Sequence, residues 1–219
     1  MIILNLEQGT PEWEQARVGI ATASNFAKII TPGGEKSAQW EAYAHEILAE
    51  EIVGKPIEGY KNAAMEEGNR REAESVAYYE MKQDVTTEAV GFIMNDARTL
   101  GCSPDRLVGK DGLFEAKNPE AHTHVGYLID GKLGKKYWPQ LQGQLYISRR
   151  QWVDAMSYFP EMPEKILRVD RDEKYIATMA VMLADFIEKL AVKRKKLVDM
   201  GYLSKDRPAF DVGKYLGAG

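Results

Sequence analysis

Residues 103–117 read SPDRLVGKDGLFEAK, and this stretch limits the fold more than any other in the chain. Gly109-Lys110-Asp111-Gly112 is a turn signal set between the apolar pairs Leu107-Val108 and Leu113-Phe114, which predicts a β-hairpin. Side chains alternate along a strand, so Glu115 and Lys117 share one face while Phe114 and Ala116 turn to the other, toward a core. Across the turn Asp105 comes within reach of Glu115. Two carboxylates and an ammonium then occupy one surface. Hard divalent cations such as Mg²⁺ take oxygen ligands, usually one or two protein carboxylates with water and substrate phosphate completing the shell. Asp105, Glu115 and the carbonyl of Ala116 suit that demand.

The acid-x-Lys pattern is weak by itself, because it recurs at Glu80-Lys82, Asp130-Lys132 and Asp172-Lys174. Context separates the four. Glu80 lies in a helical pattern, Asp130 beside glycines in a predicted loop, and Asp172 at a helix start. Only Glu115 sits in a strand-like run preceded by the chain's single Pro-Asp pair. A charged hairpin face closed by a cross-strand ion pair accounts for the same residues without chemistry.

A chain of 219 residues is long enough for one substantial domain, residues 1–219 with a core over 10–200 and a tail at 204–219, and nothing in its middle reads as a linker. Hydrophobic residues at 44%, with four Trp and eleven Tyr, exclude a wholly disordered protein. No apolar run is long enough to span a bilayer, and MIILNLEQGT lacks the basic flank and cleavage site of a signal peptide, so a soluble intracellular protein is expected. The one cysteine, Cys102, agrees with a reducing compartment and is expected to pack near the hairpin. A net charge of −4 argues against coating nucleic acid by bulk attraction, but local fields decide contact. Basic residues cluster at Lys132, Lys135 and Lys136, expected to meet a DNA backbone, and at Lys193–Lys196, which reads as a solvated helix end.

Thr10-Pro11 predicts a helix over 12–18 ending at Gly19, with a hydroxyl cap and proline at the first position. Thr22 or Ser24 then opens a second helix through Phe26, Ile29 and Ile30. Arg17 thus precedes a helix terminus, where free N–H groups, the dipole and an arginine fork would together hold an anion. A plain serine cap and a surface arginine fit the same residues. Ser37 is expected to cap a helix with Trp40, Ala44, Ile47, Leu48 and Ile52 on one stripe, and a further helix over 64–81 contains Glu72, which alone reads as a surface acid. Thr86–Met94 reads as a strand joining the hairpin sheet. His122 and His124 read as surface residues, since further metal ligands are not evident. Residues 126–136 read as a mobile loop. In the helix-like segment 137–147, Gln140 and Gln144 lie one turn apart with Tyr137 on the same side. Two strands at 152–159 and 165–169 form a second hairpin, and a long helix runs over 172–200 before an extended or loosely ordered tail.

Arg17 with Ala21-Thr22-Ala23-Ser24, Cys102-Ser103-Pro104-Asp105, Glu115-x-Lys117, YWPQLQGQ at 137–144 and RDEKY at 171–175 follow in order across residues 12–190. The ordered set resembles the phage lambda exonuclease family of viral alkaline exonucleases and YqaJ-like recombinase nucleases, within the restriction-endonuclease-like PD-(D/E)xK superfamily. That resemblance implies an α/β fold with a central mixed sheet flanked by helices. It implies a 5′-to-3′ exonuclease that uses Mg²⁺, with Mn²⁺ substituting, to degrade one strand of duplex DNA to mononucleotides. Asp105, Glu115 and Ala116 would hold the metal; Lys117, Glu72, Gln140 and Tyr137 would join them as catalytic residues. Arg17, Ser24 and Ser103 would bind the 5′-phosphate, and Met65 would wedge between terminal base pairs. A ring-shaped homotrimer, a single-strand annealing recombinase as partner, and work in the cytoplasm of a phage-bearing bacterial host are implied too. At Asn95-Asp96 the match slips by one residue, and neither is assigned. An endonuclease of the same superfamily and a non-catalytic DNA-end-binding protein are the alternatives.

Overall fold

The computed structural model describes residues 1–57, 70–205 and 210–216. Strands run over Ile2–Leu4 (β1), Ala21–Thr22 (β2), Thr87–Ala89 (β3), Phe92–Met94 (β4), Leu100–Cys102 (β5), Arg106–Val108 (β6), Gly112–Lys117 (β7), Trp152–Ser157 (β8) and Lys165–Asp170 (β9). Helices cover Pro11–Arg17 (α1), Trp40–Val53 (α2), Glu72–Gln83 (α3), Ala121–Asp130 (α4), Trp138–Ser148 (α5) and Glu173–Asp199 (α6). The α/β class holds, with helices flanking mixed sheets, but the strands are divided between two of them. One has the order β1-β4-β5-β2 and the other β3-β6-β7-β8-β9.

The division falls inside the segment expected as a single strand, 86–94. A Cβ on Gly91 would lie 2.3 Å from the Leu6 carbonyl oxygen, so the chain passes too close to its own N-terminal segment there for any larger residue. β3 therefore stays beside β6 while β4 crosses to β1 and β5.

The hairpin forms as the turn predicts, with Leu107 opposite Leu113 and Arg106 opposite Phe114. β7 then runs parallel to β8, which sets Glu115 against Ala155 and Lys117 against Ser157. Both faces of β7 are covered, as parallel strands usually are. Phe114 stacks on Tyr79 of α3 at 4.2 Å between ring centroids, while Leu113 on the opposite face joins the main core with Leu141 and Leu145 of α5. Glu115 points to that covered side and is only 4% exposed, so the charged face expected on the surface is inside.

Side-chain caps set two of the six described α-helix starts, while α2 begins after Gln39 without the hydroxyl cap expected from Ser37. Thr10 caps α1 by accepting from the Trp13 amide, and Asp172 caps α6 by accepting from Tyr175. Along α6, Tyr175, Ile176, Met179, Leu183, Phe186 and Leu190 are buried at helical spacing, and Phe186 meets Trp40 and Tyr43 of α2. The basic end of α6 is neutralised, with Lys193, Arg194 and Lys195 paired to Glu41, Glu51 and Asp199. Cys102 is buried as expected, and burial pushes its thiol far up.

Several expectations need correction. The segment after Thr22 is a six-residue 3₁₀ helix, Ala23–Lys28, rather than an α-helix. α3 starts at Glu72, which places that acid at a helix terminus; residues 58–69, Met65 among them, lie outside the described residues. Gly126–Asp130 continues α4 instead of forming a mobile loop, and Gly131 ends the helix at φ +66°. His124 is buried, not on the surface: Nε2 donates to the Pro163 carbonyl at 2.9 Å, and Nδ1 lies 2.7 Å from Ser157 Oγ. The described part of the tail is docked, because Val212 is buried and the Asn5 amide donates to Tyr215. Among the described residues no helix is long and apolar enough to cross a membrane.

Candidate active site

Continuing the hairpin register one step past Arg106–Phe114 sets Asp105 opposite Glu115. Asp105 Oδ2 accepts from the Ala116 amide at 2.6 Å. Glu115 is held from three directions. Its Oε1 accepts from Lys117 Nζ at 2.7 Å and from Gln140 Nε2 at 2.6 Å, and its Oε2 accepts from Gln144 Nε2 at 2.7 Å. Gln140 and Gln144 are four residues apart on α5, so one helix face delivers both amides. Lys117 Nζ also donates to Gln140 Oε1 at 3.0 Å and sits 4.9 Å from the centre of the Tyr137 ring. Glu72, Asp105, Glu115, Ala116, Lys117 and Tyr137 line one cleft of about 300 Å³.

The electrostatics of this cleft are those of too many anions in too little water. Burial, then Glu115, then Glu72 hold the Asp105 carboxyl well above the usual carboxylate range. Burial also raises Glu72, against the pull of Arg106. Burial works against the charge of Lys117, but Glu115 and Asp105 more than offset it, and its pKa is raised.

A hard cation fits this donor set, because it would relieve the mutual repulsion of Asp105, Glu115 and Glu72. Among the described residues no three His, Cys, Asp or Glu side chains are gathered as a ready ligand set. Two carboxylates and the Ala116 carbonyl would leave the remaining positions to water and substrate, as Mg²⁺ prefers.

Beyond Pro104, a second group begins at Ser103. Trp13 Nε1 donates to Ser103 Oγ and to the Gly91 carbonyl, each at 3.0 Å. The Arg17 guanidinium lies over the Trp13 ring, 3.8 Å from its centre, and faces a cavity of about 200 Å³ shared with Thr22, Asn25 and Tyr43. Burial draws the Arg17 pKa down, with Tyr43 and Glu50 opposing. Ser24 is exposed on the next turn, its Oγ 3.2 Å from Thr22 Oγ1. Trp13 thus joins Arg17 to Ser103, while Ser24 connects only through Thr22. The short 3₁₀ helix contributes little dipole, so an anion here would depend on Arg17 rather than on a helix terminus.

Lys135 and Lys136 are exposed beside Tyr137, with Lys136 Nζ 5.0 Å from its ring centre, and Lys132 is exposed on the preceding turn. Asn95 and Asp96 lie outside the cleft: Asn95 Oδ1 closes a turn by accepting from the Thr99 and Leu100 amides, and Asp96 pairs with the N-terminus. In RDEKY, Arg171 donates to the Leu145 carbonyl and Asp172 caps α6, so this motif is structural. Sequence reasoning missed Trp13 as the bridge and Gln144 as a holder of Glu115. For Trp13 the signal was its place four residues before Arg17 on one helix.

The YqaJ-like viral recombinase domain model matches residues 12–151. The alkaline exonuclease LHK-Exo from Laribacter hongkongensis is 31% identical, and the match covers 88% of this chain and 98% of that one at a TM-score of 0.80. A second structure of that enzyme, in complex with dAMP, matches equally well. A phage-related exonuclease from Haemophilus somnus 129PT shares the fold at a TM-score of 0.63 and 12% identity, over 80% of this chain and 96% of that one. No curated protein sequence matches significantly. The ordered motifs, the acid cleft at the hairpin and a family match over more than half the chain agree: this is a nuclease-fold protein that belongs to the YqaJ-like viral recombinase domain family.

Proposed function

We propose that the chain is a Mg²⁺-dependent exonuclease that degrades one strand of linear double-stranded DNA in the 5′-to-3′ direction from 5′-phosphorylated ends. The observation that carries this reading is the convergence of Asp105, Glu115 and Lys117 in one cleft with Glu72. Asp105, Glu115 and the Ala116 carbonyl would hold one or two Mg²⁺ ions, with Mn²⁺ able to substitute. Bound metal of this kind polarises a phosphodiester and lowers the pKa of coordinated water.

The protein's own residues do the rest. Lys117 is kept as an ammonium by Glu115, so it orients the attacking water and offsets charge on the transferring phosphate instead of taking a proton. Glu72, its pKa raised by burial, is the group suited to accept the proton of that water. Gln140 fixes Lys117 against Glu115, and the Tyr137 ring packs against Lys117. Arg17 and Ser103, with Ser24 at the margin, give direction, since a 5′-phosphate gains a charge-assisted contact that a hydroxyl lacks. Lys132, Lys135 and Lys136 would follow the backbone. The dAMP complex of LHK-Exo supports a mononucleotide product.

Membership of a viral recombinase family supports the wider setting. In it, a homotrimer encircles DNA and a single-strand annealing recombinase takes up the 3′ overhang in the bacterial cytoplasm. The test is a duplex with one phosphorylated 5′ end, incubated with and without Mg²⁺ and resolved by product size. Mononucleotides are expected from the phosphorylated strand only, and only with metal. Internal fragments, or nucleotide release in the presence of EDTA, would refute the reading.

A further inference from the structure

The described residues hold another hollow, of about 370 Å³, beside the acid cleft. Leu167 and Val169 of β9 line it together with Leu133, Tyr137, Trp138 and Leu141. Tyr137 belongs to both cavities, so a chain leaving the cleft past this ring meets the hollow next. The volume falls in the range of clefts that bind small ligands.

Lysines gather near this hollow. Lys135 is one of its lining residues. Lys165 lies two residues before Leu167 on the same strand face, and its Nζ would be 4.0 Å from a Cβ on Gly131. Lys132 is exposed on the same turn. Among the described residues none of these three lysines forms an ion pair, whereas Lys193, Arg194 and Lys195 on α6 each have an acid partner. Ordinary core packing accounts for the apolar lining but not for nearby lysines that have no acid partner among the described residues. A flat ring on an anionic chain satisfies both: bases stack on aromatic side chains with little regard to sequence, and ammonium groups follow the phosphates.

We propose that this hollow receives one unstacked nucleobase of a single-stranded DNA segment leaving the cleft, with neighbouring phosphates on Lys132, Lys135 and Lys165. The inference rests on the DNA-cleaving reading of the cleft. Its test is the affinity of the full chain for fluorescein-labelled decathymidylate, by anisotropy in EDTA, beside an abasic decamer of the same length. Trp138→Ala is expected to weaken decathymidylate binding about tenfold, as for one lost base stack, and to leave the abasic decamer unaffected. Trp138 also meets Tyr175 edge-on, 6.1 Å between ring centres; if losing that contact unfolds the first variant, Leu167→Gln, expected to do the same, decides the matter.

Equal losses for both oligomers, no loss in a folded variant, or no binding of decathymidylate by the wild type would each overturn the base site. So would a variant that changes its mass by light scattering while keeping its affinity, which would make the hollow an interface between copies. Mg²⁺-dependent nucleotide release by the wild type reads the cleft separately. Its absence defeats the proposed function; its presence with unaltered oligomer binding defeats only the base site.

Discussion

Asp105 is the side chain in the cleft least at ease with its charge, and that discomfort makes its behaviour with pH predictable. Its neutral form is favoured in the fold, so metal-free protein gains stability below the ordinary carboxylate range and loses it as pH rises toward the raised native value. A divalent cation requires the anion and therefore binds better at higher pH. Mg²⁺ should accordingly raise the melting temperature more at pH 8 than at pH 5; an equal shift at both would count against Asp105 as a ligand. Gln144 makes a different prediction. It is buried, donates to Glu115, and its own Oε1 has no hydrogen-bond partner among the described residues. Gln144→Leu should lower nucleotide release about 10- to 100-fold, the usual effect of removing a group that orients a metal ligand, without loss of fold. The acid pair itself was legible, because a glycine-bounded turn and strict alternation leave few places for Asp105 and Glu115. The burial of Glu115 was not legible, since alternation reads a charged strand face as solvent-facing until the helix covering it is known. His124 gave no local sign either: its partners Ser157 and Pro163 are 33 and 39 residues away.

At the level of elements, α5 sets the geometry of the cleft, and its own position is fixed from behind. A Cβ on Gly143 would stand 2.5 Å from the fully buried Phe26 ring, so α5 packs directly onto the 3₁₀ helix 23–28. Gly143→Val should therefore push α5 away, costing about 1–3 kcal/mol of stability by overpacking and withdrawing Gln140 and Gln144 from Glu115. Both losses are expected together, in thermal melting and in nucleotide release; an active but destabilised variant would show that α5 does not set Glu115. On the proposed reading α1 would carry the directional element, through Arg17 held over Trp13. Arg17→Ala should erase the preference for 5′-phosphate over 5′-hydroxyl ends while leaving Mg²⁺ binding intact, which competition between the two ends measures. Helix starts at Thr10 and Asp172 were readable from their caps. The division of strands into two sheets was not, because Gly91 turns the chain only on account of Leu6, far away in sequence.

In the whole molecule, two mixed sheets and the helices around them bring Glu72, Asp105, residues 115–117, Tyr137, Gln140 and Gln144 together, and join residues 13–17 to Ser103, two positions before Asp105. If the proposed exonuclease reading holds, closed circular duplex should remain intact under conditions that consume the linear form. Nicks in the circle would instead favour an endonuclease of the same fold. All of this depends on the acids of the hairpin holding a hard cation. Calorimetric titration of Mn²⁺ into the wild-type protein and into Asp105→Ala at pH 8 reads that directly. The account predicts saturable binding of one or two ions per chain in the wild type and its loss in the variant; the same isotherm for both would contradict it.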